Sequence, residues 1–159
     1  MIAVALACKP KLLLADEPTT ALDATVQIQV LLLLRKLQEQ LGMGVIFVTH
    51  DLGVAGEIAD RVAVMYAGRV VEEGPVAAMM KAPLHPYPRG LLGATVHGGM
   101  RGQRLTTIPG APPSLETLPT ACSFAPRCVE AVPECLAGVP APRSPVPGRS
   151  ARCIKVANG

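Results

Sequence analysis

Two apolar runs without polar alternation, Lys11 to Asp16 and Gly44 to Thr49 (GVIFVT), bracket a long leucine-rich segment. That arrangement constrains the fold more than any other feature of the chain. A strand that is apolar at successive positions reads as buried on both faces of a parallel sheet. Parallel neighbours need a crossover, and Ala24 to Leu41 is long enough to supply it as a helix. Asp23 reads as its N-cap, while Gly42 and Gly44 close it. The result is a right-handed βαβ unit within an α/β fold. Met1 to Ala7 reads as the end of a buried helix broken by Lys9-Pro10, with Cys8 as a buried thiol. Leu52 to Ala59 fits a short helix. Arg61 to Tyr66 and Arg69 to Glu73 fit a hairpin about Ala67-Gly68, ended by Glu72-Glu73-Gly74-Pro75.

Beyond residue 82 the composition changes: thirteen of the sixteen prolines lie there, so only a helix near Arg89 to Ala94 is expected. The chain is accordingly divided into residues 1–82 and an irregular Pro/Cys-rich appendage at residues 83–159. Residues 1–100 hold eight Lys/Arg against nine Asp/Glu, and residues 101–159 seven against three. The basic tail has one aromatic, Phe124, and no dense basic run, so nucleic acid is not the expected partner. Arg143, Arg149 and Arg152 are read as solvated charges. No apolar stretch reaches membrane-spanning length, and Lys9 and Lys11 fall inside the apolar start rather than ahead of it, unlike a signal peptide. The expected compartment is the cytosol.

"LLLADEPTTALD", Leu12 to Asp23, sets Asp16 and Glu17 side by side where an apolar run stops. Adjacent like charges repel, and a bound cation or a polyanion's metal removes that conflict. In open α/β sheets ligands bind at the carboxyl ends of strands. Asp16-Glu17 and His50 occupy two such ends joined by one crossover. An aspartate ending an apolar strand is the Walker B element that holds Mg²⁺ in P-loop nucleotidases, and a following glutamate can act on the attacking water. Alone, Asp-Glu-Pro would read as a solvated turn and His50 as a structural histidine; the spacing to "TTALD" and "VTHD" favours the catalytic reading. His85 and His97 carry no such context and are assigned no role. The apolar face of Val26 to Leu37 reads as core.

These stretches, with "VIFVTHDLGVAGEIADRVAVMYAGRVVEEG", resemble the second half of an ABC-transporter ATPase. "HPYPRGLLGA", "IPGAPPSL" and "CSFAPRC" narrow the resemblance to ATP-binding subunits of dipeptide and oligopeptide importers, a family shared with nickel importers. It implies a partial P-loop-type sheet: Walker B strand, crossover helix, switch-histidine strand and hairpin. It also implies ATP and Mg²⁺ as ligands. Asp16 is then the Mg²⁺ carboxylate, Glu17 the catalytic base and His50 the switch histidine, with Thr20 to Asp23 facing a second ATPase subunit. Two transmembrane permeases and an extracytoplasmic peptide-binding protein are the further implied partners, and the cytoplasmic face of the membrane the implied location.

The sequence contains neither a G-x-x-x-x-G-K-[ST] loop nor an LSGGQ-type signature. Met1 is therefore expected to be internal to a longer protein, and the chain alone to be inactive. A natural non-catalytic regulatory or scaffold half-domain is the alternative, as is a nickel importer ATPase. A DNA-maintenance ABC ATPase would need coiled-coil segments that are missing from the sequence. Pro88 stands where relatives commonly have Thr or Ser. Cys122, Cys128, Cys135 and Cys153 are spaced C-x5-C-x6-C-x17-C, unlike tight zinc-module pairs. The resemblance implies a [4Fe-4S] cluster on these four, with Zn²⁺ or an unmetallated reduced set as the alternatives.

Overall fold

The computed structural model describes residues 2–20, 22–94 and 107–159, so Met1, Ala21 and His97 lie outside the described residues. The chain forms two compact units, Met1–Ala59 and Asp60–Gly159.

The first unit runs α1 (Ile2–Leu6), β1 (Leu12–Asp16), α2 (Ala24–Leu41), β2 (Gly44–Val48) and α3 (Leu52–Ile58). Strands β1 and β2 pair in parallel, with Leu12 opposite Gly44 and Asp16 opposite Val48. Helix α2 starts where Asp23 Oδ1 accepts the N–H groups of Thr25 and Val26, both at 3.0 Å. It stops at Gly42, whose φ of 60° suits a residue without Cβ. Leu13, Leu34 and Met43 form the core, with Ile2, Leu6, Val30, Leu37, Val45 and Phe47 packed around them.

Two expectations fail here. Strand β1 is buried on one face only: Leu13 and Ala15 are inside, but Leu12 is 53% and Leu14 69% exposed. A two-stranded sheet whose core contacts lie on one side leaves the other open, and Ile46 and Val48 are exposed in the same way. Cys8 is also exposed. Helix α1 has five residues and seats only Ile2 and Leu6 against the core, so Cys8 lies beyond its reach.

The second unit contains β3 (Arg61–Tyr66), β4 (Arg69–Pro75), α4 (Val76–Lys81) and α5 (Pro86–Ala94), then β5 (Arg143–Val146) and β6 (Arg149–Ala151). Single 3₁₀ turns lie at Ala125–Arg127 and Pro133–Leu136. The strands form one antiparallel sheet in the order β3-β4-β6-β5. Ala67 and Gly68 take φ of 47° and 73°, the signs that a two-residue type I′ hairpin requires. Because β6 pairs with β4 through Glu72–Ala151 and Glu73–Ser150, the hairpin belongs with the appendage. The compact units therefore divide at Ala59 rather than at residue 82.

Strand β4 continues past the expected turn. A bulge between Val64 and Met65 breaks the pairing, and two successive residues of β4, Val71 and Glu72, are both buried. Glu72 accepts the N–H groups of Leu84 (2.9 Å) and His85 (2.7 Å) and pairs with Arg149 Nη2 at 2.9 Å. The tail arginines are thus structural rather than solvated. Arg143 Nη1 donates to Ile154 O (2.6 Å) and Val156 O (2.9 Å), and Arg152 Nη1 donates to Pro140 O (3.3 Å). Phe124 anchors the appendage, with ring centroids 5.2 Å from Tyr66 and 5.4 Å from Tyr87. Pro88 is fully buried.

Candidate functional site

In the first unit, Asp16 is the last residue of β1, and the chain then turns sharply: Glu17 has a φ of 43°, rare for a residue with Cβ. The Glu17 N–H still donates to Val48 O at 3.0 Å, holding the turn against the end of β2. Its carboxylate is fixed at both oxygens. Thr20 Oγ1 donates to Oε2 at 3.0 Å, and His50 Nδ1 lies 3.0 Å from Oε1.

His50 sits between β2 and α3, whose N-cap, Asp51, accepts from Gly53 (2.7 Å) and Val54 (3.3 Å). The hydrogen bond that Glu17 accepts, then its charge, raises the His50 pKa against the effect of burial, and the charge of Asp51 adds to the rise. The hydrogen bonds from His50 and Thr20 lower that of Glu17. Both groups are exposed, so the pair is an accessible carboxylate–imidazole couple able to accept or donate a proton. Asp16 makes no side-chain hydrogen bond or ion pair among the described residues, which leaves its carboxylate available to a cation. Asp23 spends one oxygen on the α2 cap. Asp51 was not singled out from sequence; its place before an apolar-periodic segment is the N-cap signal that could have found it.

In the second unit, Cys122, Cys128, Cys135 and Cys153 line one cavity, together with His85, Phe124, Glu130 and Lys155. All four are free thiols, tied locally by Cys122 N–H to Cys135 O at 3.1 Å. Burial is the first cause of the raised Cys122 thiol pKa, with Cys135 and Cys153 adding to it; amides of Phe124 and Ala125 oppose the shift. Burial likewise raises Cys128, aided by Glu130 and neighbouring thiols, while the Glu130 amide opposes.

Four thiols are a donor set that suits zinc or iron–sulfur chemistry, and a cation there would favour their deprotonation. Among the described residues, no group of three or more His, Cys, Asp or Glu is disposed to hold a single metal ion.

His85, given no role from sequence, is 2% exposed on that cavity wall. Burial, then the charge of Arg89, lowers its pKa to about 4, so the ring is neutral near pH 7.

A parallel strand pair bearing carboxylates and an imidazole at its ends, followed in the chain by an antiparallel unit with a cysteine-lined cavity, defines a mixed α/β protein. Residues 71–135 match the family profile of the oligopeptide/dipeptide transporter C-terminal region. A protein of Brucella ovis named as a peptide import ATP-binding protein is 54% identical over 160 residues, covering 97% of this chain and 47% of its own length. One from Brucella abortus is 53% identical with the same coverage. The oligopeptide transport ATP-binding protein OppD of Salmonella typhimurium is 52% identical over 132 residues, 83% of this chain and 39% of its own. The chain is thus similar to peptide import ATP-binding proteins along nearly all its length, with the oligopeptide/dipeptide transporter C-terminal region at residues 71–135, and it spans about half the length of the curated relatives it matches. Among the described residues no helix is long and apolar enough to cross a membrane.

Proposed function

We infer that this chain is part of the ATP-hydrolysing subunit of a peptide importer. The observation that carries the reading is the Glu17–His50 contact of 3.0 Å at the carboxyl ends of paired parallel strands, in a chain similar to peptide import ATP-binding proteins. Asp16, with no protein partner, is the residue for Mg²⁺, which when bound neutralises phosphate charge. Glu17, aimed by Thr20 and His50, accepts a proton from the attacking water. His50 turns its imidazole to the terminal phosphate, and the loop through Asp23 faces a second ATPase subunit. Two permeases and an extracytoplasmic peptide-binding protein complete the assembly, at the cytoplasmic face of the membrane. The open apolar face of Leu12, Leu14, Ile46 and Val48 is where further layers of a nucleotide-binding domain would pack.

Because the sequence holds no phosphate-binding loop, the chain by itself should release no phosphate from Mg²⁺-ATP above a Glu17→Gln control. Joined to the remaining half of OppD, it should bind and hydrolyse ATP, and Glu17→Gln should keep binding while nearly abolishing turnover. Normal turnover in that variant would remove Glu17 from the role of base.

The four cysteines are assigned to a [4Fe-4S] centre, with zinc as the runner-up. The support is that all four cysteines, as free thiols, line one cavity. Iron, sulfide and zinc analysis of anaerobically purified protein decides between them: about four irons per chain for the cluster, one zinc for the alternative.

A further inference from the structure

His85 enters none of this chemistry, yet its surroundings define what it can do. Helix α5 begins Pro86-Tyr87-Pro88, so two of its first three residues have no N–H and Tyr87 supplies the one orphan donor. That N–H donates to His85 Nδ1 at 3.0 Å. A ring nitrogen that accepts carries no proton, so the hydrogen-bond network assigns the neutral tautomer with its proton on Nε2. Nε2 has no hydrogen-bond partner among the described residues. The ring is 2% exposed and shares a cavity wall with all four cysteines. The other acceptor side chain on that wall, Glu130, is already engaged by Arg89 and Lys155. Among the side chains on that wall, the four cysteine sulfurs are the remaining acceptors. Backbone amides of Phe124 and Ala125 already serve Cys122 in this way, and that of Glu130 serves Cys128.

We propose that His85 is a positioning residue for the sulfur-ligated centre: its Nε2–H donates to a sulfur there and raises the centre's reduction potential. This rests on the reading of the cysteines as ligands of a [4Fe-4S] cluster. Hydrogen bonds to sulfur are among the determinants of cluster potential, because they favour the more negative, reduced form. The cap on α5 and the donor to sulfur use opposite nitrogens of one ring, which separates the two roles experimentally. In His85→Asn the side-chain oxygen takes the place of Nδ1 and keeps the cap, while the reach of Nε2 is lost. In His85→Gln the amide reaches toward the Nε2 position and keeps a donor, at the expense of the cap.

The test is an EPR-monitored redox titration of the full chain purified anaerobically, with iron and sulfide measured alongside. His85→Asn should keep wild-type iron content and lower the reduction equilibrium about tenfold, which is about 59 mV for one electron; His85→Gln should stay near wild type. An unchanged potential in iron-loaded His85→Asn would overturn the proposal. Should that variant fail to load, pulsed EPR of the reduced wild type labelled with ¹⁵N-histidine decides it: hyperfine coupling to a histidine nitrogen is expected, and no coupling overturns it. Wild-type protein without iron, or with zinc instead, would overturn the cluster reading itself and this proposal with it.

Discussion

Replacing Glu72 with glutamine changes one atom at a point where three segments meet. The carboxylate is fully buried, and its two oxygens take the N–H groups of Leu84 and His85 and the guanidinium of Arg149. An amide has one acceptor oxygen, so its NH₂ must face either Arg149 or the His85 N–H, donor against donor. Arg149 also donates to Ala82 O, and its Nε is buried without a partner, so it has no easy retreat. Breaking one side of a buried, hydrogen-bonded ion pair costs about 3–5 kcal/mol. In a unit of this size each kcal/mol moves the melting temperature by roughly 4–8 °C, so Glu72→Gln should lower it by about 12–24 °C taking the lower cost. Both tyrosines of the chain, Tyr66 and Tyr87, lie in this unit, and there is no tryptophan. Near-ultraviolet circular dichroism in the tyrosine band, where Phe47 of the first unit does not absorb, therefore reports its melting. A drop smaller than about 4 °C, equivalent to under 1 kcal/mol, would refute the reasoning. The paired change Glu72→Met with Arg149→Met should recover much of the loss, because it leaves no uncompensated charge behind.

His50 has its pKa raised by Glu17, so the stability from their contact is complete below the pKa of an unfolded histidine and is lost as pH rises through the raised value. On the acid side the lowered Glu17 value means loss as pH falls through it, and NMR titration of Glu17→Gln should show the His50 pKa returning toward its ordinary value. Asp23→Ala removes two cap bonds from α2 and should cost about 1 kcal/mol, read by urea denaturation followed at 222 nm. At Glu17 the positive φ inverts the usual ranking: Glu17→Gly should be more stable than Glu17→Ala by about 1 kcal/mol in the same assay. Equal or greater stability of the alanine variant would contradict it.

Local signals carried the first unit well. Asp23 and Gly42 mark α2 because a side-chain acceptor and a left-handed cap are written in single residues. The Ala67-Gly68 hairpin is equally local. The open face of β1 is not, since nothing in an apolar run says how many strands will flank it. The β5–β6 hairpin escaped notice because Pro145 and Pro147 argue against strands; β6 nonetheless pairs with β4, and Pro145 sits where the β5–β6 register slips. Glu72 looked like part of a polar turn because its partner Arg149 is 77 residues away. The shared cavity of the four cysteines was not legible, since spacings of 5, 6 and 17 residues follow no local geometry. His85 was passed over for the same reason: its cap on Tyr87 is local, but the cavity it shares with the cysteines is not.

The strained turn at Glu17 ties the opening motif to the site. Side chains alternate along a strand, so residues 13, 15 and 17 would line one face if β1 continued. Leu13 and Ala15 occupy the buried face. An extended Glu17 would therefore direct its carboxylate toward the apolar layer, next to the core of Leu13, Leu34 and Met43. Pro18 adds to the difficulty, since the residue before proline prefers an extended backbone. The chain instead adopts a φ of 43° at Glu17, a conformation that costs of order 1–2 kcal/mol for a residue with Cβ. Three hydrogen bonds hold it there, from its own N–H to Val48 O, from Thr20 and with His50. Glycine at this position would adopt the same backbone angle without that cost. The backbone angle thus holds the Glu17 carboxylate out of the apolar layer, with both oxygens hydrogen-bonded and in reach of solvent.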